Sequence, residues 1–261
     1  MLNGNFVLLS VGLAVGLFVA MMLVLEIGRR IGVKRAHARG SKARAGVGIV
    51  DGAVYSLLAL LAGFMFSGAA NRFDQRRLLV GEIANSAGRS WKRIDMLPDE
   101  QRTSVRAGLR RYMDELIAYY AQPITTKALL RLPVPLSEAE DSLWSRSVAA
   151  CQAQGGEPAR MLLLPALNET FDAVERERVA RRVHPAPLIY VMFGITALAT
   201  ALFAGYGMAS GPARNWMFTI GIAACVSIAA YVILELEYPR LGLVRVSGMD
   251  QVLVEAREAM K

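Results

Sequence analysis

Four long apolar segments, arranged in two pairs around a polar middle, dominate the pattern of this chain. Residues 6–25, 52–70, 183–213 and 215–234 contain no Asp, Glu, Lys or Arg. Each segment is long enough to cross the roughly 30 Å hydrocarbon core of a bilayer as a helix. Each also lacks the polar face that a helix in a soluble core keeps. The pattern therefore predicts an integral membrane protein with four transmembrane helices.

The polar middle of the chain has the spacing of amphipathic helices. Apolar residues recur at steps of three, four or seven between residues 73 and 94, so the second span is expected to continue as one helix to a break near Leu97. The same spacing predicts helices over residues 99–120 and 161–182. The first of these is expected to form an antiparallel hairpin with the extended second-span helix.

A further polar helix is predicted from a capping motif. Ser137 and Glu140 stand three residues apart, the spacing of a capping box, which predicts a helix from Ser137 to about Gln152. No strand-like alternation of useful length appears, so the predicted fold is all-α, with a polar helical bundle inserted between spans two and three. The predicted domains are a first transmembrane pair with a basic loop (residues 1–70), a polar helical domain (71–184), a second transmembrane pair (185–236) and a polar C-terminal tail (237–261).

The formal net charge of +8 is concentrated in one place. Seven basic residues and no acid occur between residues 29 and 44, in what is expected to be a short loop: Arg29, Arg30, Lys34, Arg35, Arg39, Lys42 and Arg44. Such residues beside a span are typical of cytoplasmic loops, with recognition of anionic lipid headgroups as the alternative; no nucleic-acid partner is expected. The predicted topology puts this loop inside and the middle domain outside, although arginines flanking the middle domain favour the reverse.

Residues suited to catalysis or metal binding are sparse. The only histidines, His37 and His184, lie far apart in the chain, and no glycine-rich phosphate loop is present. We therefore expect no enzymatic activity, no cofactor and no metal site. Cys151 and Cys225 lie in different segments and are not expected to form a disulfide. Asp51, at the entrance of the second span, could cap that helix or line an ion path.

The second span contains a candidate pore lining. Leu57, Leu61, Phe64 and Gly68 follow one another at steps of three or four, and Arg72 and Arg76 extend the series beyond the apolar segment. Around a central axis, rings of Leu and Phe would form a hydrophobic constriction, and rings of Arg would attract anions at its mouth. The alternative is that the same side chains face lipid or a neighbouring helix.

Small residues recur every fourth position within the spans and predict close helix packing, in a bundle or in an oligomer. The four rows are Gly12 and Gly16; Ala59, Gly63 and Ser67; Ala197, Ala201 and Gly205; and Gly221, Cys225 and Ala229.

Several segments together resemble one known family. They are Leu-Leu-Ala-Leu-Leu-Ala-Gly-Phe-Met-Phe-Ser at 57–67 running into Arg72-Phe-Asp, Glu82-Ile-Ala-Asn85, Asp95-Met-Leu-Pro98, Leu109-Arg-Arg-Tyr112 and Glu235-Leu-Glu-Tyr-Pro239-Arg-Leu-Gly242. In this order, over nearly the whole chain, they resemble the bacterial bestrophin-like membrane protein family, a domain of unknown function. The resemblance implies four spans and a location in the bacterial inner membrane.

The family is named for its likeness to bestrophins, which are pentameric anion channels with a pore lined by the second span. The resemblance therefore implies a homo-oligomer with Leu57, Leu61 and Phe64 toward the axis and chloride or another small anion as the permeating species. Bestrophins keep their helical region cytoplasmic, which conflicts with the topology predicted from charge. An acid cluster suited to calcium is not evident, because Glu235 and Glu237 are too few. The competing hypothesis is a non-conducting scaffold or sensor whose polar helical domain binds a partner.

Overall fold

A computed structural model describes residues 2–39, 47–121, 132–209, 216–238 and 247–261, and within these ranges the chain is helical with no strand. In chain order the helices are α1 (Leu2–Arg39), α2 (Val47–Ile94), α3 (Asp99–Ala121), α4 (Val134–Gln152), α5 (Glu157–Ala180), α6 (Pro187–Met208), α7 (Trp216–Glu237) and α8 (Ser247–Glu258). The predicted all-α class is confirmed.

Four of these helices have the length and composition to cross a membrane. The helical segments that contain such an apolar stretch are Phe6–Arg35 in α1, Gly52–Ile94 in α2, Pro187–Met208 in α6 and Thr219–Glu237 in α7. The four predicted spans thus correspond to four helices that are candidates to cross a membrane. The third span is shorter than the apolar segment that predicted it, because α6 begins at Pro187, where proline suits the first turn of a helix.

The basic segment after the first span is largely helical, so the expectation of a loop starting at Arg29 is wrong. Helix α1 continues through Arg39, because no proline interrupts it and Lys and Arg are good helix formers. Glu26 forms ion pairs with Arg29 at 3.3 Å and Arg30 at 2.9 Å along this helix. Lys42 and Arg44 lie outside the described residues.

The chain divides into two compact units. The membrane unit comprises Met1–Asn71 and His184–Tyr238, and the polar unit comprises Arg72–Val183 and Pro239–Lys261. Helix α2 contributes its first half to the membrane unit and its second half to the polar unit. Its continuity through Ile94 confirms the expectation that the second span extends as one helix.

In the membrane unit, small residues allow the backbones of α1 and α6 to touch. A Cβ atom added at Gly205 would lie 1.9 Å from the carbonyl oxygen of Leu25, and one added at Gly28 would lie 2.1 Å from the carbonyl oxygen of Leu202. Ala201, one turn from Gly205, is fully buried. The predicted row of Ala197, Ala201 and Gly205 is therefore a packing surface, as close-packed membrane helices require.

The polar unit has a core of large apolar side chains. The predicted stripes of α2 and α3 both contribute to it, and the chain breaks between them at residues 95–98, as expected near Leu97. Fully buried members include Ile83, Leu109, Tyr112, Leu143, Leu163 and Leu167.

Two helix starts in the polar unit differ from prediction. Helix α4 begins at Val134, and its N-cap is Pro133, which makes no side-chain cap bond, so the capping box at Ser137 is wrong. The amide of Ser137 already donates to the Pro133 carbonyl at 3.1 Å, because the rigid proline starts the helix earlier. Helix α5 likewise begins at Glu157, with Pro165 inside it.

The C-terminal helix α8 was expected only as a polar tail. It packs against α3 in the polar unit, where Leu253 and Met260 are buried. The Met260 carbonyl accepts a hydrogen bond from Arg110 Nε at 2.8 Å, and Arg257 pairs with Asp114 at 2.8 Å. Helix α8 has few apolar residues on its packing side, so its helical periodicity is a weak signal in the sequence.

Candidate functional site

The first four candidate pore residues lie in the membrane unit, and two of them face away from its core. Leu57 is 51% exposed and Phe64 is 68% exposed, whereas Leu61 and Gly68 are half-buried. The buried side of α2 is formed by other residues, namely Leu58, Met65 and Ala69. Leu57 and Phe64 thus leave half or more of their surface uncovered by the described part of this unit.

The two arginines of the series belong to the polar unit and differ from each other in burial. Arg72 is half-buried, and Arg76 is only 7% exposed. Arg76 donates from Nε to the carbonyl of Ala180 at 3.3 Å and from Nη2 to the carbonyl of Val183 at 3.1 Å. Carbonyls at the end of a helix lack intrahelical partners and carry partial negative charge. Arg76 therefore caps the end of α5.

Helical geometry explains why the six residues differ in exposure. Each step of four residues advances about 400° around an α-helix, so a series built mainly on such steps rotates by about 40° each time. From Leu57 to Arg76 the accumulated rotation is about 100°, which carries the series from an exposed flank of α2 to its buried side. The pore-lining role of all six stays a prediction.

A buried charge network lies at the same end of α5 that Arg76 caps. Arg181 Nε pairs with Glu177 Oε1 at 2.5 Å, and the hydroxyl of Tyr120 donates to Glu177 Oε2 at 2.9 Å. The Arg181 guanidinium also lies 4.4 Å from the centroid of the Tyr120 ring. Burial by itself would lower the pKa of Arg181, but the Glu177 carboxylate together with Tyr120 and Tyr119 more than offsets this effect, so that pKa is raised. Arg181 is thus a permanent buried cation, and its Nη2 has no hydrogen-bond partner among the described atoms.

A second buried polar cluster occurs in the membrane unit at the end of α7. Glu235 is 2% exposed and Glu237 is fully buried. The Ser10 hydroxyl lies 3.5 Å from Glu235, and His184 Nδ1 lies 2.9 Å from Glu237. Because burying an unpaired carboxylate costs several kcal/mol, such acids keep partners. These pairings join residues far apart in the chain, so no local sequence pattern could have revealed them.

The remaining candidate residues have simpler environments. Cys151 is buried in the polar unit and Cys225 is exposed in the membrane unit, and neither forms a disulfide. The side chains of His37 and Asp51 lie outside the described residues, so the two roles considered for Asp51 stay predictions. Within the described ranges, no group of three or more His, Cys, Asp or Glu side chains is placed to hold a metal ion.

The chain matches one known protein family over most of its length. A model of the Bestrophin-like domain matches residues 16–249. This chain belongs to the bestrophin-like family. The resemblance found from sequence motifs is thereby confirmed.

Solved structures with the bestrophin-like fold agree. Three point variants of a bacterial bestrophin homologue from Klebsiella pneumoniae align with TM-scores of 0.67, 0.65 and 0.65 at 12%, 13% and 14% identity. The alignments cover 93%, 92% and 95% of this chain and 98%, 97% and 97% of the homologue. At such low identity the likeness establishes the fold. Comparison with curated proteins finds no match.

Proposed function

We propose that this bestrophin-like protein is the subunit of a homo-oligomeric anion channel in the bacterial inner membrane, with a pore lined by the second span. The family match over residues 16–249 carries the proposal, because bestrophins conduct anions. The exposed Leu57 and Phe64 support it, since subunits arranged around an axis would bring these side chains together. Chloride or another small anion is the proposed permeating species.

The proposed mechanism uses a narrow apolar neck. A ring of Phe64 side chains would exclude water when closed and pass a partly dehydrated anion when it widens. Basic residues would raise the anion concentration near the pore, consistent with the net charge of +8. Among the arginines of the series, Arg72 is the one closest in sequence to Phe64. We propose that Arg72, which is half-buried at the start of the polar unit, helps to attract anions to the neck.

Chloride flux into liposomes containing the purified protein tests the proposal. Phe64→Ala should raise the flux or change its anion selectivity, because it widens the neck. Phe66→Ala is the matched control, since Phe66 is 48% exposed but lies about 200° around the same helix. Its flux should equal that of the wild type.

Two results would contradict the proposal. The first is the absence of flux at every voltage together with a monomeric mass in detergent, which would favour the scaffold or sensor hypothesis. The second is an equal effect of both phenylalanine substitutions, which would remove the second span from the pore lining while leaving conduction itself intact.

We also propose that the basic end of α1 is cytoplasmic and the polar unit is extracytoplasmic. Cys151 is a poor probe of this topology because it is buried. Met161→Cys, at an exposed position of the polar unit, in a background lacking both native cysteines, provides an accessible thiol. An impermeant thiol reagent should label it in intact cells. Labelling only after lysis would place the polar unit in the cytoplasm.

A further inference from the structure

Helix α2 is covered along one side over most of its length. Its buried residues recur at steps of three, four or seven from Leu58 to Ile94, through Ala69, Arg76, Val80 and Ala87. About ten whole turns of an α-helix separate Leu58 from Ile94, so this series follows one line along α2 without rotating around it. The side of α2 opposite this line is left uncovered.

Exposed residues follow the opposite side, which we call the open side of α2. It runs from Phe64 through Asn71, Asp74, Leu78 and Asn85 to Arg89, and all six residues are exposed. By helical geometry, Phe64 and Arg89 lie within about 20° of each other around the axis of α2 and about 37 Å apart along it. Arg76 lies about 120° from Phe64. The side of α2 that carries the proposed neck residue therefore leads to Arg89 and not to Arg76.

In the polar unit, the open side borders a groove between α2 and α8. Asn85 and Arg89 line it from α2, and Val252 lines it from α8. Gly81 keeps the groove wide, since a Cβ added there would meet nothing within 4 Å. The side chain of Arg89 makes no hydrogen bond or ion pair with the described residues, so its guanidinium is free to interact with a solute in the groove.

The charged residues in the first part of this groove are compensated. Glu82 pairs with Arg176 of α5 at 2.7 Å. Asp74 and Arg77 also line the groove and lie three positions apart, the spacing at which opposite charges on a helix offset each other. This part of the groove therefore carries little net charge.

The last turns of α2 are basic. From residue 83 to residue 94 the helix contains Arg89, Lys92 and Arg93 and no acid. Arg93 is engaged in packing, because it donates to the Leu162 carbonyl of α5 at 2.9 Å. Lys92 is exposed and follows Arg89 by three positions, on the same side of the helix. Arg89 and Lys92 thus give the far end of the open side a positive charge.

We propose that Arg89 and Lys92 form an anion-attracting site on the open side of α2 and contribute to the anion-over-cation preference of the channel. The inference rests on the proposed channel function and adds to it the residues that meet the anion beyond the neck. In an oligomer with α2 around the axis, each subunit would supply one such pair, and the ring of cations would concentrate anions. Asp74, an acid on the same side about 15 Å from Phe64, opposes this effect.

The ratio of chloride to potassium permeability tests the proposal. It is obtained from the reversal potential of the purified protein in a planar bilayer under a KCl gradient. Arg89→Gln should lower the ratio by about twofold or more, and Arg89→Gln with Lys92→Gln should lower it further, because a ring of cations raises the local anion concentration. Asp74→Asn should raise it. Arg111→Gln is the matched control, since Arg111 is an exposed arginine of the polar unit on α3, and should leave the ratio unchanged.

Ionic strength and thiol labelling give two further measurements. The Debye length falls from about 10 Å at 0.1 M salt to about 3 Å at 1 M, so the difference in conductance between wild type and Arg89→Gln should shrink at high KCl. In a background lacking both native cysteines, Arg89→Cys should lose chloride current with a negatively charged methanethiosulfonate reagent and gain it with a positively charged one. Arg111→Cys should respond to neither.

Two outcomes would overturn this inference while leaving the channel itself intact. The first is a wild type that conducts chloride with a permeability ratio that Arg89→Gln with Lys92→Gln does not change. The second is an equal effect of Arg89→Gln and Arg111→Gln, which would indicate diffuse surface charge. A wild type that passes no chloride would instead overturn the proposed function, and this inference with it.

Discussion

The two units of this protein fill their interiors with different kinds of residue. In the polar unit, Leu109, Tyr112 and Leu163 are fully buried. In the membrane unit, many of the most deeply buried residues are alanines, such as Ala69 and Ala201, and large side chains such as Phe64 point outward. This difference is what we expect if water surrounds the polar unit and lipid surrounds the membrane unit.

The physical reason lies in what burial achieves in each solvent. Removing apolar surface from water contributes about 25 cal/mol per Å², so the polar unit gains by placing its large side chains inside. Lipid hydrocarbon is as apolar as a leucine side chain. The membrane unit therefore gains little free energy by moving large apolar side chains from lipid into its interior. Close contact between backbones stabilises the membrane unit instead, as at Gly205 and Gly28.

Breaking the buried ion pair of the polar unit should give the largest effect. Arg181→Met leaves the Glu177 carboxylate buried without its cation, which should lower the free energy of unfolding by about 3–5 kcal/mol. Denaturant titration followed by tryptophan fluorescence measures this loss, because Trp91 and Trp144 pack against the core of the polar unit.

Arg176→Met is the control for this ion-pair variant. Arg176 pairs with Glu82 at 2.7 Å, but both side chains are well exposed, so the loss should be about 1 kcal/mol or less. Similar losses for Arg176→Met and Arg181→Met would show that burial does not distinguish the two pairs. Combining Arg181→Met with Glu177→Leu should recover part of the loss, since neither member of the pair is then left as an unpaired buried charge.

Adding one methyl group to the helix contact of the membrane unit should give an intermediate effect. Gly205→Ala forces a Cβ against the Leu25 carbonyl and should cost on the order of 1–3 kcal/mol, measured as a lower thermal midpoint in detergent. Gly16→Ala, where an added Cβ meets nothing within 4 Å, should change the midpoint little. An unchanged midpoint in Gly205→Ala would contradict packing of α1 directly on the backbone of α6.

Removing a crowded negative charge from the polar unit should give the smallest effect. Burial raises the pKa of Glu140, and Asp141, Glu175 and Asp172 raise it further. The ionised form is therefore disfavoured in the folded state, and stability falls as pH rises from the ordinary value of 4.5 toward the raised pKa.

Glu140→Gln should consequently raise the thermal midpoint slightly at neutral pH and leave it unchanged below the ordinary pKa of glutamate. Thermal unfolding between about pH 4 and pH 8 measures this. The control Glu138→Gln alters an exposed position on the same helix. A gain for Glu140→Gln that is the same at every pH would contradict its assignment to charge.

The spans and most helices of the polar unit were predictable because their signals are local. A run of about 20 apolar residues is enough to specify a span. The recurrence of apolar residues at steps of three and four predicted the end of α3 to within one residue of its observed end at Ala121. Helix α4 was misplaced because the capping box at Ser137 and the proline at Pro133 compete as helix starts, and the more rigid proline prevails.

The candidate sites were less predictable because their contacts are distant in sequence. Arg76 has the spacing of a pore residue, yet it donates to carbonyls 104 and 107 positions away. The exposure of Phe64 likewise depends on which side of α2 its neighbours cover. The periodicity of apolar residues along the chain carries no information about such contacts.

By itself the amino-acid sequence determined the four apolar spans, the all-helical class and the bestrophin-like family, because hydrophobic length and short motifs act without knowledge of distant partners. Only the tertiary structure decided that Gly205 meets the backbone of α1 and that Glu177 and Arg181 are buried together with Tyr120. These features arise from contacts between separate helices, whose approach is set by packing over the whole surface of each unit.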